Sequence, residues 1–357
     1  MPKYMQISKL LEKRISFGDY VSDELPTEMN LASEIGVSRT TARKAIMHLI
    51  DRGILIRGEN GRILCSEQHI EQTARIAFVA PAWPSSEIQL WRYALEQEAA
   101  KLGIQIRPID YVHPDDPAIM QAADRFDGIF LLPSAEVFPK PVIERLKRYP
   151  RLVILGQDYS WANLISIHPF PASHIRQLLN IFSDKHLEHV DCVVAQPIGA
   201  ALELRIGEWW SWKRDNCIKG NMITKQFKPL TMPIHNAYHM MCEHLNQTPA
   251  PICPRAGQDQ PRGLICCSIK TAIGVSRACA EHGLKVGEDV LIAAINGEDT
   301  NRYLQPSITC LETKDMSPSL NRALNWLISK DQQWDGPTLM EPDEPNLFVG
   351  ESTGLNT

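Results

Sequence analysis

The sequence predicts an α/β protein: an N-terminal winged helix-turn-helix followed by a two-lobe core with parallel sheets. Two observations carry that expectation. Near the start, a two-faced helix with a basic outer side stands between a short capped helix and a hairpin pattern. Beyond residue 74, continuously apolar runs alternate with helical patterns, and this alternation occurs twice.

The first element is a helix with Ile7, Leu10, Leu11 and Ile15 on its apolar face, closed by Phe17-Gly18-Asp19. Leu25-Pro26-Thr27-Glu28 opens a second, short helix that ends at Gly36. The central helix runs from the N-cap Ser38 to the stop at Gly53. Ala42, Ala45, Ile46, Leu49 and Ile50 recur at steps of three and four and form its buried side. Its other side carries Arg39, Thr40, Thr41, Arg43, Lys44 and Met47, with no acid before Asp51. Arginines four apart project together, and with hydroxyls they suit guanine edges and phosphate oxygens in a DNA major groove. Two apolar runs, Ile54–Ile56 and Ile63–Cys65, flank Asn60-Gly61, which predicts a type I′ hairpin with Arg62 at its tip. A purely solvated basic face is the bland alternative, but caps, pattern and hairpin all agree with a DNA-binding element.

These residues resemble a known family. Leu25-Pro26-Thr27-Glu28, Leu31-Ala32, Gly36 to Ala45, Leu49 and Gly53 are similar to the DNA-binding domain of GntR-type bacterial regulators, over roughly residues 4–65. The resemblance implies operator contacts from Ser38, Arg39, Thr41, Arg43 and Gly61, to which the basic face and wing tip add Thr40, Lys44 and Arg62. Met29 stands where the family usually has an arginine, so a contact made there by relatives is expected to be missing or replaced.

Composition bounds the remainder. The 357 residues suit two or three domains and are 44% hydrophobic. Net charge is −5, so bulk charge does not mark a nucleic-acid binder. Residues 1–68 hold ten basic against nine acidic side chains, and the remainder 27 against 33, so DNA affinity must come from local placement. Nine cysteines without a Cys-x-x-Cys spacing read as reduced thiols of a cytoplasmic protein. No secretion signal opens the sequence and no apolar run approaches the ~18 residues of a membrane span, so no membrane association is expected.

The expected domains are residues 1–66 for DNA binding, a polar linker at 67–74, and an effector-binding and dimerisation core at 75–357. In the core, strands are expected at Arg75–Ala80, Ile104–Ile109, Asp127–Ser134 and Leu152–Gly156, then Cys192–Ala195, Gly263–Ser268 and Val290–Asn296. Helices are expected through Ile88, Leu90, Trp91, Ala94, Leu95, Ala99 and Leu102, and through Leu204, Ile206 and Trp209. Doubly wound lobes take small molecules where strand carboxyl ends meet, so an interlobe cleft is expected. The core resembles the effector domain of LacI-type repressors, related to periplasmic sugar-binding proteins, on Asp127–Phe130, Ala201–Trp209, Gly283–Val290, Pro306–Thr309 and Glu351–Gly354. A GntR-type winged helix joined to such a periplasmic-binding-protein-like core is the layout of the bacterial arabinose repressor group.

That resemblance implies an arginine for effector hydroxyls at Arg205, whose bland alternative is an interlobe salt bridge. Loop and strand-end positions add Trp83, Ser85, Ser134, Gln157 and Asp158. Ser268-Ile269 stands where relatives carry an Asn-Asp pair, and Asn296 where they carry an Asp. With Lys270 nearby, the site is less acidic than in relatives, which points to a sugar, sugar acid or sugar phosphate. His235, His239 and Cys242 share one helix face at a spacing Zn²⁺ tolerates, but core or surface histidines explain them better, and no metal, cofactor or catalytic set is expected. The expected function is a homodimeric, sequence-specific regulator, a repressor of carbohydrate genes acting on a palindromic operator. Two other readings share parts of the pattern: a constitutive repressor whose core only dimerises, and a sugar-binding protein without a DNA function.

Overall fold

The computed structural model describes residues 1–16, 19–20, 25–58, 61–66, 74–134, 136, 138–228, 231–247, 261–329 and 331–354. The chain divides into two compact units, one of residues 1–134, 138–166 and 317–338, the other of 135–137, 167–316 and 339–357. The expected linker lies almost wholly outside the described residues.

The first unit begins with three helices, α1 (Lys3–Ser16), α2 (Glu28–Ile35) and α3 (Arg39–Asp51), and a hairpin of β1 (Leu55–Arg57) and β2 (Ile63–Cys65). Ile7, Leu11, Ile15, Leu31, Ala42, Ala45, Ile46, Leu49 and Leu55 close one small core. Leu10, expected inside, is exposed, because the stripe of α1 is narrower than its apolar residues allow. Ser38 Oγ accepts from Thr41 N at 3.2 Å, the expected N-cap. The wing differs from expectation. Gly58 N donates to Arg62 O and Gly61 N to Gly58 O, so three residues, not two, lie between the closing pair. Gly61, at φ +77°, takes the left-handed position that such a loop requires. Glu59 and Asn60 themselves lie outside the described residues.

The same unit holds strands β3 (Ile76–Pro81), β4 (Ile106–Tyr111), β5 (Gly128–Leu131), β6 (Leu152–Leu155) and β7 (Ile165–Ile167), in the order β7-β6-β5-β3-β4. The pairs β4–β3, β3–β5 and β5–β6 are parallel. β4 starts two residues later than expected and is an edge strand, which is why it tolerates Pro108. The helix Ser317–Ile328 returns to this sheet: Gly128 lies so close to Leu327 that an added Cβ would come within 2.9 Å of it. Nothing in the sequence pattern announced that return.

The second unit holds β8 (Val190–Val194), β9 (Met222–Thr224), β10 (Arg262–Cys266), β11 (Val290–Gly297) and β12 (Thr309–Glu312), with Asn346–Phe348 antiparallel at one edge. β9-β8-β10-β11-β12 run parallel. Their continuously buried residues explain the unbroken apolar runs: helices cover both faces. Helix Ala200–Asp215 buries Leu202, Arg205, Ile206, Trp209 and Trp212 on one face. Leu204, expected inside, points outward, and so does Leu90 on helix Ser86–Lys101. Helices Pro233–Gln247 and Ile269–Glu281 touch at Gly274, where a Cβ would lie 2.3 Å from Ile234 O. Among the described residues no helix is long and apolar enough to cross a membrane.

Candidate functional site

The outer face of α3 carries Arg39, Thr40, Arg43 and Lys44, all exposed, with Thr41 half-buried and Ser38 holding the first turn. Ser38 Oγ and Thr41 Oγ1 lie 2.7 Å apart, so both hydroxyls are already engaged with each other. Gly61 and Arg62 are exposed at the wing. All eight residues expected at the DNA face thus lie on α3, at its N-cap or on the wing. The structure adds two that sequence reading passed over. Glu28, the first residue of α2, faces Arg39 Nε at 3.5 Å, Arg43 Nε at 4.0 Å and Arg57, in β1, at 3.5 Å. The carboxylate side chain is only 16% exposed, whereas the three arginines are 72%, 64% and 47% exposed.

In the first unit, the expected effector residues fall into two places. Trp83 lies in the loop after β3 and lines a cavity of about 250 Å³ with Pro84, Gln89, Arg92 and Asp110. Ser85 precedes helix Ser86–Lys101 and makes no side-chain cap. Ser134 and Gln157 sit together beyond β5 and β6, with Gln157 Nε2 donating to Ser134 O at 2.8 Å. Neither lines the Trp83 cavity. Asp158 is exposed and accepts from Ser160 N at 2.7 Å, so its carboxylate shapes its own loop.

In the second unit, Val193 pairs in register with Cys266, and Cys266 with Ala294. The residues just beyond, Ala195, Ser268 and Asn296, therefore lie along one sheet edge, at the strand carboxyl ends. Helices Ala200–Asp215 and Ile269–Glu281 begin at this edge, with N-terminal dipoles directed to it. Ser268 caps the second of them: its Oγ accepts from Thr271 N at 3.2 Å and lies 2.9 Å from Thr271 Oγ1. The hydroxyl is thus held as a helix cap. Lys270 follows in the first turn and is half-buried. Arg205 is 8% exposed, with its guanidinium carbon 5.8 Å from the Phe170 ring centroid, within cation–π range.

Asn296 is the most informative of these residues. It has φ +56°, a left-handed conformation, where the β11–β12 register shifts between Ala294 and Gly297. Bulges of this kind re-aim side chains near sites. Its Oδ1 is buried without a hydrogen-bond partner. A buried acceptor left unmade costs free energy that a ligand hydroxyl or amine would recover. His235 and His239 stack edge to face at 4.2 Å, and among the described residues no group of three His, Cys, Asp or Glu side chains is placed to hold a metal.

Comparison with known proteins agrees with this layout. Residues 3–64 match the bacterial regulatory proteins of the gntR family, and residues 217–353 a periplasmic binding protein-like domain. The chain is 42% identical over 208 residues to the HTH-type transcriptional regulator YurK of Bacillus subtilis, covering 55% of this chain and 82% of YurK. It is 34% identical over 73 residues to the HTH-type transcriptional repressor NagR of the same organism, covering 20% of this chain and 30% of NagR. A LacI family transcriptional regulator from Arthrobacter sp. FB24, solved with lactose, superposes with a TM-score of 0.60 at 17% identity, over 78% of this chain and 99% of that one. The periplasmic component of an arabinose transporter from Shewanella sp. ANA-3, bound to arabinofuranose, does so at 0.60 and 18%, over 78% and 93%. At that identity the two structures establish the fold of the core. The relatives are regulators of transcription, not enzymes. The chain belongs to the gntR family of bacterial transcriptional regulators, with a DNA-binding domain joined to a periplasmic-binding-protein-like core.

Proposed function

We propose that this regulator is a homodimeric repressor of carbohydrate genes. In this reading, residues 1–66 bind each half of a palindromic operator, 67–74 link, and 75–357 hold the effector and the dimer contact. The observation that carries it is the exposed face of α3, where Arg39, Arg43 and Lys44 stand on a capped helix with no acid before Asp51. The effector is a sugar, sugar acid or sugar phosphate. Asn296, with its unpartnered acceptor, and Arg205, a guanidinium donor, supply complementary hydrogen bonds for a polyhydroxylated molecule. The names of NagR, a repressor, and of structures holding lactose and arabinofuranose fit this reading. Leu90 and Tyr93, exposed three residues apart on helix Ser86–Lys101, offer apolar side chains to a second copy. A twofold protein suits a twofold site, and an effector acts by favouring one arrangement of the two reading helices. The working place of such a protein is the cytoplasm.

The test is fluorescence anisotropy of the full chain on DNA from upstream of its own gene, with and without a panel of sugars, sugar acids and sugar phosphates. Preference for that DNA over a shuffled duplex, relieved by one member of the panel, is the expected result. Equal binding to both duplexes overturns the operator reading. Preference that no member changes overturns the effector assignment and leaves the constitutive-repressor reading.

A further inference from the structure

We infer that Glu28 determines how strictly the α3 face discriminates sequence, by pooling the guanidinium groups of Arg39, Arg43 and Arg57 on one carboxylate. The inference deepens the reading of that face as DNA-binding and rests on it.

The three arginines come from different elements. Arg39 and Arg43 are one turn apart on α3, and Arg57 ends the first wing strand. Glu28 is the first residue of α2, behind the N-cap Thr27, whose hydroxyl accepts from Asn30 N. The positive end of the helix dipole favours a carboxylate at that point. With ion-pair distances of 3.5, 4.0 and 3.5 Å, one largely buried acid therefore ties α2, α3 and the wing together beneath an exposed cationic surface.

The consequence follows from what each group does on a duplex. An exposed arginine with no other acceptor pairs with any phosphate, which adds affinity but no sequence information. A carboxylate among the arginines changes both sides of that balance. It repels phosphates, and it holds each guanidinium in an ion pair that must be loosened before another partner is taken. A phosphate replaces that acceptor with little net gain. A guanine edge, with O6 and N7 side by side, satisfies the guanidinium fork from a neutral group the carboxylate does not repel. Glu28 thus lowers binding to DNA at large more than binding to the operator. It is a positioning residue, acting through the arginines rather than on the DNA.

The experiment compares wild type, Glu28→Gln and Glu28→Asp as full chains on two duplexes across a sodium chloride series. One is a duplex selected by the wild-type protein from a random pool; the other has the same bases shuffled. For Glu28→Gln we expect several-fold tighter binding to the shuffled duplex and a log-affinity against log-salt slope steeper by about one, as one more phosphate is neutralised. Binding to the selected duplex is not tighter, so the ratio of affinities drops by the same several-fold factor. Glu28→Asp, which keeps the charge, restores much of the ratio. An unchanged ratio and slope in a folded Glu28→Gln chain overturns the inference, and so does an equal loss on both duplexes, the mark of a purely structural role. If the wild type enriches no sequence from the pool, the operator reading itself fails, a result separable from any behaviour of Glu28.

Discussion

Thr41 donates its backbone amide to Ser38 Oγ at 3.2 Å while the two hydroxyls lie 2.7 Å apart, so the first turn of α3 is locked by its own side chains. Loss of that lock has a size. Ser38→Ala is expected to destabilise the N-terminal helices by about 1 kcal/mol, the ordinary worth of such a cap. Ser38→Asp, which also caps, is expected to recover that stability. Denaturant unfolding followed by helical circular dichroism measures both. Equal stability of wild type and the alanine variant would show that the cap carries no load.

Arg43→Ala removes one exposed guanidinium from α3. Operator affinity should fall by about 1–3 kcal/mol, roughly fivefold to 150-fold, the cost of losing a base-reading arginine. Effector-induced thermal stabilisation should be unaltered, since the side chain belongs to the DNA-binding helices. Undiminished affinity for the selected duplex would remove Arg43 from the reading face.

Asn296 makes a prediction in two directions. A left-handed conformation in a residue other than glycine stores strain, roughly 1 kcal/mol, and its buried Oδ1 is unpartnered. Asn296→Gly is therefore expected to raise the melting temperature of the ligand-free chain while abolishing the shift produced by effector. Lower stability together with retained effector response would mean that the amide serves the fold and not a ligand.

Thiol chemistry separates inside from outside. Cys217 is the exposed cysteine among those described, while burial pushes the Cys279 and Cys310 thiols up to about 12. The Cys192 thiol is likewise pushed well up, first by its hydrogen bond to Cys267 and then by burial. Cys217→Ser should remove one fast-reacting equivalent in a disulfide-exchange assay of the native chain. The buried thiols should react only on unfolding. Unaltered fast-phase amplitude in that variant would contradict the placement of Cys217.

Burial pushes the His174 and His244 imidazoles below their usual 6.5. The unfolded chain therefore takes up protons in a range where the folded chain resists them. Stability should be full above about pH 7 and should decline as pH falls through 6.5 toward the depressed folded values. Melting temperature measured from pH 8 to 5 shows the slope, and the double variant His174→Asn, His244→Asn should flatten it. An identical slope in the variant would assign the decline to other groups.

The local signals were legible and the convergent ones were not. Ser38 as cap, Gly53 as stop and the runs at β3, β5, β6, β8, β10 and β11 could be read because each depends on neighbours within a few residues. Periodicity located the helices but not the width of their buried stripes, so Leu10, Leu90 and Leu204 were placed inside and are exposed. The wing had the right residues and a loop one residue longer, because Asn-Gly fits more than one closure and Gly61 alone carries the positive φ among the described residues of that turn. Ser268 read as a ligand contact, yet its Ser-x-x-Thr spacing is also a cap signature, and Thr271 claims the hydroxyl. Glu28 was invisible for a different reason. Its partners lie 11, 15 and 29 positions away on other elements, and no spacing rule reaches across them.

The edge strand β4 has a consequence for the protein at high concentration. Among the described residues its outer side lies next to no other strand, and an open strand edge is a template on which further chains polymerise. Here the template is spoiled in its middle. Pro108 has no amide hydrogen, and Arg107 and Asp110 bring charges that an incoming backbone must desolvate. An edge broken in this way discourages one chain from adding its backbone to the sheet of the next.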